Sequence, residues 1–134
     1  MSDHAISVGR LLLSAPFVIG GWHALRDPGA LPQAASAIGL PRPELLTGIA
    51  AVAMLAGGIG VASGFAPVVG GAVLVASLAG TTAVVHSFWR YPDPTAQAAH
   101  RQAFVANCGL FGAVLVATVQ AKLLQERSSA TTQN

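Results

Sequence analysis

The chain has 134 residues, enough for one compact domain, yet only 9% are charged, against the roughly 25% usual in water-soluble domains, and 53% are hydrophobic. That composition excludes an ordinary soluble surface, and a net charge of +2, from seven basic and five acidic residues, excludes the basic patch that nucleic acid requires. The charges are also unevenly spaced, with none from Leu45 to Trp89 and none from Gln102 to Ala121. A helix crossing the hydrocarbon core needs about 20 mostly apolar residues, so the first interval holds two crossings and the second holds one.

Taken in chain order, the first predicted element is a helix over residues 7–25, charged only at Arg10, which sits one turn inside it and reads as a snorkelling side chain. This run has the look of a secretory leader, but Trp22, His23 and Arg26 stand where a small-x-small cleavage site would be, so it reads as uncleaved. Asp27-Pro28-Gly29 stops the helix. A linker rich in Pro, Ala and Gly follows, and its residues 30–38 suit a short interfacial helix. Pro43 and Glu44 begin a second helix, 45–63, by fixed dihedral and by the helix dipole. Only "GFAP", residues 64–67, separates it from a third, 68–89, so these two must be antiparallel neighbours. The polar connection "RYPDPTAQAAHR" leads to a fourth helix, 102–122, and a hydrophilic tail, 123–134, is expected to fray.

The expected fold is therefore an all-α membrane protein: one domain, residues 1–122, forming an antiparallel bundle of four transmembrane helices. The period-two alternation of a membrane barrel is absent. Small residues recur four apart at Ala56, Gly60 and Gly64, at Ala72, Ala76 and Gly80, and at Gly109, Ala113, Ala117 and Ala121, a spacing that lets helices approach closely in lipid. The single cysteine, Cys108, excludes an internal disulfide and reads as a small packing residue.

Four crossings put both termini and the "GFAP" turn on one side and both long connections on the other. On that loop side Trp22, His23, Arg26 and Asp27 come from the first helix and Arg42 and Glu44 from the start of the second. His86, Trp89, Arg90 and Asp93 come from the third, and His100, Arg101, Phe104 and Asn107 from the fourth. His86 and Asn107 are expected at similar depth, about 6 to 9 Å below the charged rim. An unpaired polar group in hydrocarbon is unfavourable, so both should face a shallow pocket open to the loop side. The candidate ligand-binding residues are His86, Trp89, Asn107, Trp22 and His23. For the tryptophans and Tyr91 the competing reading is anchoring at the headgroup level, and for Asn107 it is a hydrogen bond between helices. No His-x-x-x-His or Glu-x-x-His pair supports a metal site, and no phosphate loop, nucleophile elbow or other complete catalytic motif is present, so catalytic residues stay unassigned.

The stretches "GRLLLSAPFVIGGWHALRDP", "HSFWRYPDP" and "FVANCGLFGAVLVA" together resemble the DoxX family of small four-helix bacterial membrane proteins, over residues 9–117. Members usually carry a lysine before the asparagine of the fourth helix, where this chain has Ala106. The resemblance implies a multi-pass protein of the bacterial plasma membrane with cytoplasmic termini. The count of basic residues leans the other way, with Arg10, Lys122 and Arg127 on the terminal side against Arg26, Arg42, Arg90 and Arg101 on the loop side. The resemblance also implies association with oxidoreductases, some relatives being subunits of a thiosulfate:quinone oxidoreductase.

Two functions follow as expectations. One is a non-catalytic accessory or scaffold subunit of a membrane complex, docking through the 26–44 and 90–101 connections. The alternative is a quinone-binding subunit of a membrane oxidoreductase, with quinone as the candidate cofactor held by imidazole, indole and amide donors. A transporter is disfavoured because no Asp or Glu lies within any crossing. Candidate partners are the lipid bilayer, other membrane or soluble redox proteins, and further copies of the chain. After carbonate washing and high-speed spinning of lysed cells, the chain is expected in the pellet; recovery in the supernatant would refute the membrane reading.

Overall fold

Proline and glycine punctuate this chain where the hydrocarbon-length runs end, and the helices break there. The computed structural model describes residues 2–132 and contains α1 (Ser2–Arg26), α2 (Leu31–Ala37), α3 (Pro43–Ser63), α4 (Pro67–Val85) and α5 (Pro94–Thr132), with a 3-10 turn at Phe88–Arg90. Four segments are long and apolar enough to cross a membrane: His4–Arg26, Pro43–Ser63, Pro67–Arg90 and Pro94–Ala130. Asp27 Oδ1 accepts the Gly29 N–H at 3.0 Å, and Gly29 takes the left-handed conformation that turns the chain out of α1. Prolines open α3, α4 and α5, where a missing N–H costs nothing, and Gly64 at φ 71° closes α3.

The four long helices lie in the lateral order α1, α3, α4, α5, each packed on the next, while α1 and α5 touch over only a short stretch. The pairs run antiparallel, as the contact registers show. Gly21 abuts Ala51 and Leu55, and Gly58 abuts Phe17 and Val18; Gly57 meets Gly70, and Gly71 meets Thr118. The short α2 covers α3 and α4 on the loop side, with Pro32 and Ala35 buried.

Burial is inverted relative to a soluble bundle. Gly57, Gly58, Gly70 and Gly71 are buried, whereas Leu12, Ile19, Val52, Ile59, Val69 and Val116 are exposed and face outward, where lipid would stand. A small core of Phe17, Val61, Leu74, Leu78 and Val114 fills the centre. On α5 the inward stripe reads His100, Phe104, Asn107, Phe111, Val114, Thr118, Ala121, at alternating spacings of four and three, which keeps one face of the helix toward α4.

Besides α1, which begins at Ser2 rather than 7, three boundaries differ from the sequence expectation. First, α4 ends at Val85 rather than 89, because Ser87 Oγ donates back to the Ala83 carbonyl and Tyr91 Oη donates to the Val85 carbonyl at 3.0 Å, taking up acceptors a continuing helix would use. Second, α5 starts at Pro94 rather than 102, because Asp93 Oδ2 accepts the Ala96 N–H at 2.7 Å as a cap and Pro94 takes the first helical position. Third, the segment expected to fray continues α5 as helix to Thr132, with Lys122 and Glu126 spaced for an i,i+4 ion pair at 4.0 Å. Residues 133 and 134 of that segment lie outside the described residues.

A Cβ added at Gly70 would stand 2.7 Å from the Gly57 carbonyl oxygen, whereas one at Gly80 would meet nothing within 4 Å. Gly70→Ala should therefore destabilise by about 1 to 3 kcal/mol despite alanine's better helix propensity, and Gly80→Ala should be neutral or stabilising by up to about 1 kcal/mol. Unfolding midpoints of the two variants in mild detergent check the contrast.

Candidate functional site

The loop-side end of α4 and the first turns of α5 bring together a cluster built from polar and aromatic side chains. His86 is the C-cap residue of α4, half-buried, and its backbone N–H reaches the Thr82 carbonyl at 3.0 Å. Its Nδ1 lies 3.2 Å from Nδ1 of His100 on α5. A hydrogen bond between two like imidazole nitrogens requires one donor and one acceptor, so at least one of the rings is neutral while the contact stands. Tyr91 stacks on His100, ring centroids 3.8 Å apart and nearly parallel at 12°. The Tyr91 hydroxyl, bonded to the Val85 carbonyl, ties that stack to the end of α4.

One turn deeper, Asn107 Nδ2 donates to Thr82 Oγ1 at 3.0 Å. Thr82 precedes His86 by four residues on the same helix, so Asn107 lies about 6 Å below the histidine pair, not at its level as expected from counting along the helices. The early start of α5 is the reason: it sets His100, not Asn107, opposite His86. Beside this seam Phe88, Trp89 and Phe104 meet edge to face, with centroids 5.1, 5.7 and 6.0 Å apart. Trp89 remains 60% exposed.

Of the residues singled out in sequence, the structure places His86, Asn107 and Trp89 in this region. Trp22 and His23 lie on α1. Trp22 is 48% exposed with the Arg26 guanidinium carbon 4.6 Å from its ring centroid, and His23 is exposed. Among the described residues, no hydrogen bond or ring contact joins either one to the His86 cluster. His100, Tyr91, Thr82 and Phe104 were not among the predicted site residues. The Asp93-Pro94 helix start was the available signal, since it puts His100, Phe104 and Asn107 on one helical face at i, i+4 and i+7.

Nδ1 of each histidine is engaged, while Nε2 of both rings has no hydrogen bond among the described residues. The cluster offers a ligand two imidazole N–H or N positions beside an aromatic face. Among the described residues, no group of three or more His, Cys, Asp or Glu side chains is placed to hold a metal ion. Cys108 is exposed on α5 and free.

Residues 5–87 match the sequence profile of the DoxX family, so the match takes in α1 to α4 and ends immediately after His86. The "FVANCGLFGAVLVA" stretch of α5 lies beyond it. No curated protein and no solved structure matches the chain.

The seam should behave as a coupled unit. Thr82→Val is expected to lower stability by about 0.6 kcal/mol and at most about 1.7. Combining it with Asn107→Leu should add less than the sum of the two single changes, because both remove the same hydrogen bond. His100→Phe, which leaves the half-buried His86 without its partner, should cost about 1 to 3 kcal/mol. A double-mutant cycle on unfolding midpoints in detergent measures all three.

Proposed function

The chain belongs to the DoxX family of membrane proteins, and from that membership we propose that it is a non-catalytic accessory subunit of a membrane complex, docking a redox protein through its loop-side end. The observation that carries this reading is the division of labour in the loop-side cluster. Asn107 Nδ2, Thr82 Oγ1, the Tyr91 hydroxyl and the Nδ1 atoms of the histidine pair are engaged with one another and with backbone, which closes α4 onto α5. The exposed indole of Trp89 stands beside them, edge to face with Phe88 and Phe104. Such a surface, rigid and aromatic beside an engaged polar layer, suits contact with a protein partner. We place the protein in the bacterial plasma membrane with both termini in the cytoplasm.

A quinone-binding role is the second reading, favoured by the two Nε2 positions left open beside the Tyr91 and His100 stack. Quinone carbonyls accept hydrogen bonds and quinone rings stack on aromatic faces, so a headgroup at the rim would engage both features. Ala106, in the position where relatives usually carry lysine, leaves that rim without a cation at this point of α5.

A photocrosslinking residue in place of Trp89, activated in native membranes, should capture a second polypeptide; capture of only lipid and other copies of the chain would overturn the docking role. Lipid extraction from protein purified in mild detergent tests the alternative. Quinone recovered from the natural sequence and lost in His86→Ala supports it, and no quinone, or equal amounts from both, refutes it. A C-terminal reporter fusion, active only in the cytoplasm, checks the orientation.

A further inference from the structure

Arg10 does not merely reach up to the membrane surface. Its guanidinium packs across onto the turn that ends α3, with Nη1 only 2.5 Å from where a Cβ on Gly64 would stand. It also lines a cavity of about 340 Å³, between the terminal-side halves of α1 and α5, whose other walls include Ile6, Leu13, Val114, Ala117 and Leu124. No carboxylate is among the lining residues, and among the described residues no acidic side chain pairs with Arg10. The C-terminal carbonyls of α3 present only a partial negative charge, equivalent to about half an elementary charge. Thr118 and Gln120 are the polar side chains that share the lining, and among the described residues no full negative charge compensates the cation.

The recess exists because α1 and α5 touch over only a short stretch, which leaves a gap between them. Along α1 it extends from Ile6 to Leu13, about 10 Å, and along α5 from Ala113 to Leu124, about 16 Å, both roughly parallel to the membrane normal. Arg10 lies level with the α3–α4 turn, where a crossing helix meets the headgroup layer. A cation at headgroup depth and a largely apolar slot running inward from it together match one ligand chemistry: an anionic head on an aliphatic chain.

We propose that this cavity is a binding site for an anionic phospholipid of the leaflet on the terminal side, with its phosphate on Arg10 and one acyl chain along the wall formed by Leu13, Val114 and Ala117. The site is at the opposite end of the bundle from the His86 cluster and does not depend on the function proposed for that cluster. It makes the α1–α5 cleft a lipid-filled seam of the bundle.

The test uses the full chain, delipidated in detergent and offered phosphatidylglycerol, phosphatidylcholine or oleate, with bound ligand counted by native mass spectrometry. The natural sequence should retain one phosphatidylglycerol at least about fivefold better than phosphatidylcholine, the effect of one cation near an anionic headgroup. Arg10→Gln should abolish that preference and Arg10→Lys should keep most of it. Ala117→Phe, which fills the chain end of the slot and leaves Arg10 in place, should reduce retention of both phospholipids. Should Arg10→Gln fail to fold, Arg10→Lys and Ala117→Phe carry the test. Equal retention of the two phospholipids by the natural sequence, an undiminished preference in Arg10→Gln, or undiminished lipid binding in Ala117→Phe would overturn the proposal. So would oleate binding as well as phosphatidylglycerol, which would assign the site to free fatty acids, or a dimer that excludes lipid from the cleft.

Discussion

The backbone contact between Gly57 and Gly70 governs the rest of this structure. Lipid tails are as apolar as leucine, so burying leucine between helices gains little there, and association depends on how closely the backbones approach. Glycine at both positions removes the side chains that would hold α3 and α4 apart. Gly21 and Gly58 do the same for α1 and α3, and Gly71 lets α4 receive Thr118 of α5. Each close approach also fixes an axial register, since a glycine notch admits a neighbour only at one height. The meeting of Thr82 with Asn107 and of His86 with His100 follows from the register that Gly71 and Thr118 set lower down.

The two ends of the molecule solve the polar-group problem differently. At the loop side α4 and α5 meet directly, and imidazole, amide, hydroxyl and carbonyl groups find partners within the protein. At the terminal side α1 and α5 diverge, and the guanidinium of Arg10 faces a space that the protein does not fill. One end is closed by its own side chains and the other depends on its solvent. This asymmetry comes from the one sparsely packed seam of the bundle, between α1 and α5.

The crossings were legible because charge spacing is a direct record of the hydrocarbon core, and the turns at Asp27-Pro28-Gly29 and Gly64 were legible because proline and glycine act locally. Lateral order was not. Which glycine notches meet is a pairwise property of two helices, and abundant alanine and glycine leave many stripes equally plausible on paper. His86 and Asn107 stood out as polar residues within apolar surroundings. His100 did not, since it sits among the polar residues of a connection, and only the Asp93 cap shows that this connection is already helix. Counting along the helices groups Trp22 and His23 with His86 by depth, and depth says nothing of which side chains touch. Arg10 was recognisable as an intramembrane cation, but whether it turns toward water or across to Gly64 depends on a neighbour that the chain meets fifty-four residues later.

The unbroken course of α5 has a mechanical meaning. Its 39 residues span about 58 Å, nearly twice the thickness of the hydrocarbon core, without an internal proline. It behaves as a stiff rod projecting from both faces of the bilayer, gripped by α4 along one side. A single crossing takes up only about half of that length, so the remainder of α5 extends beyond the hydrocarbon core.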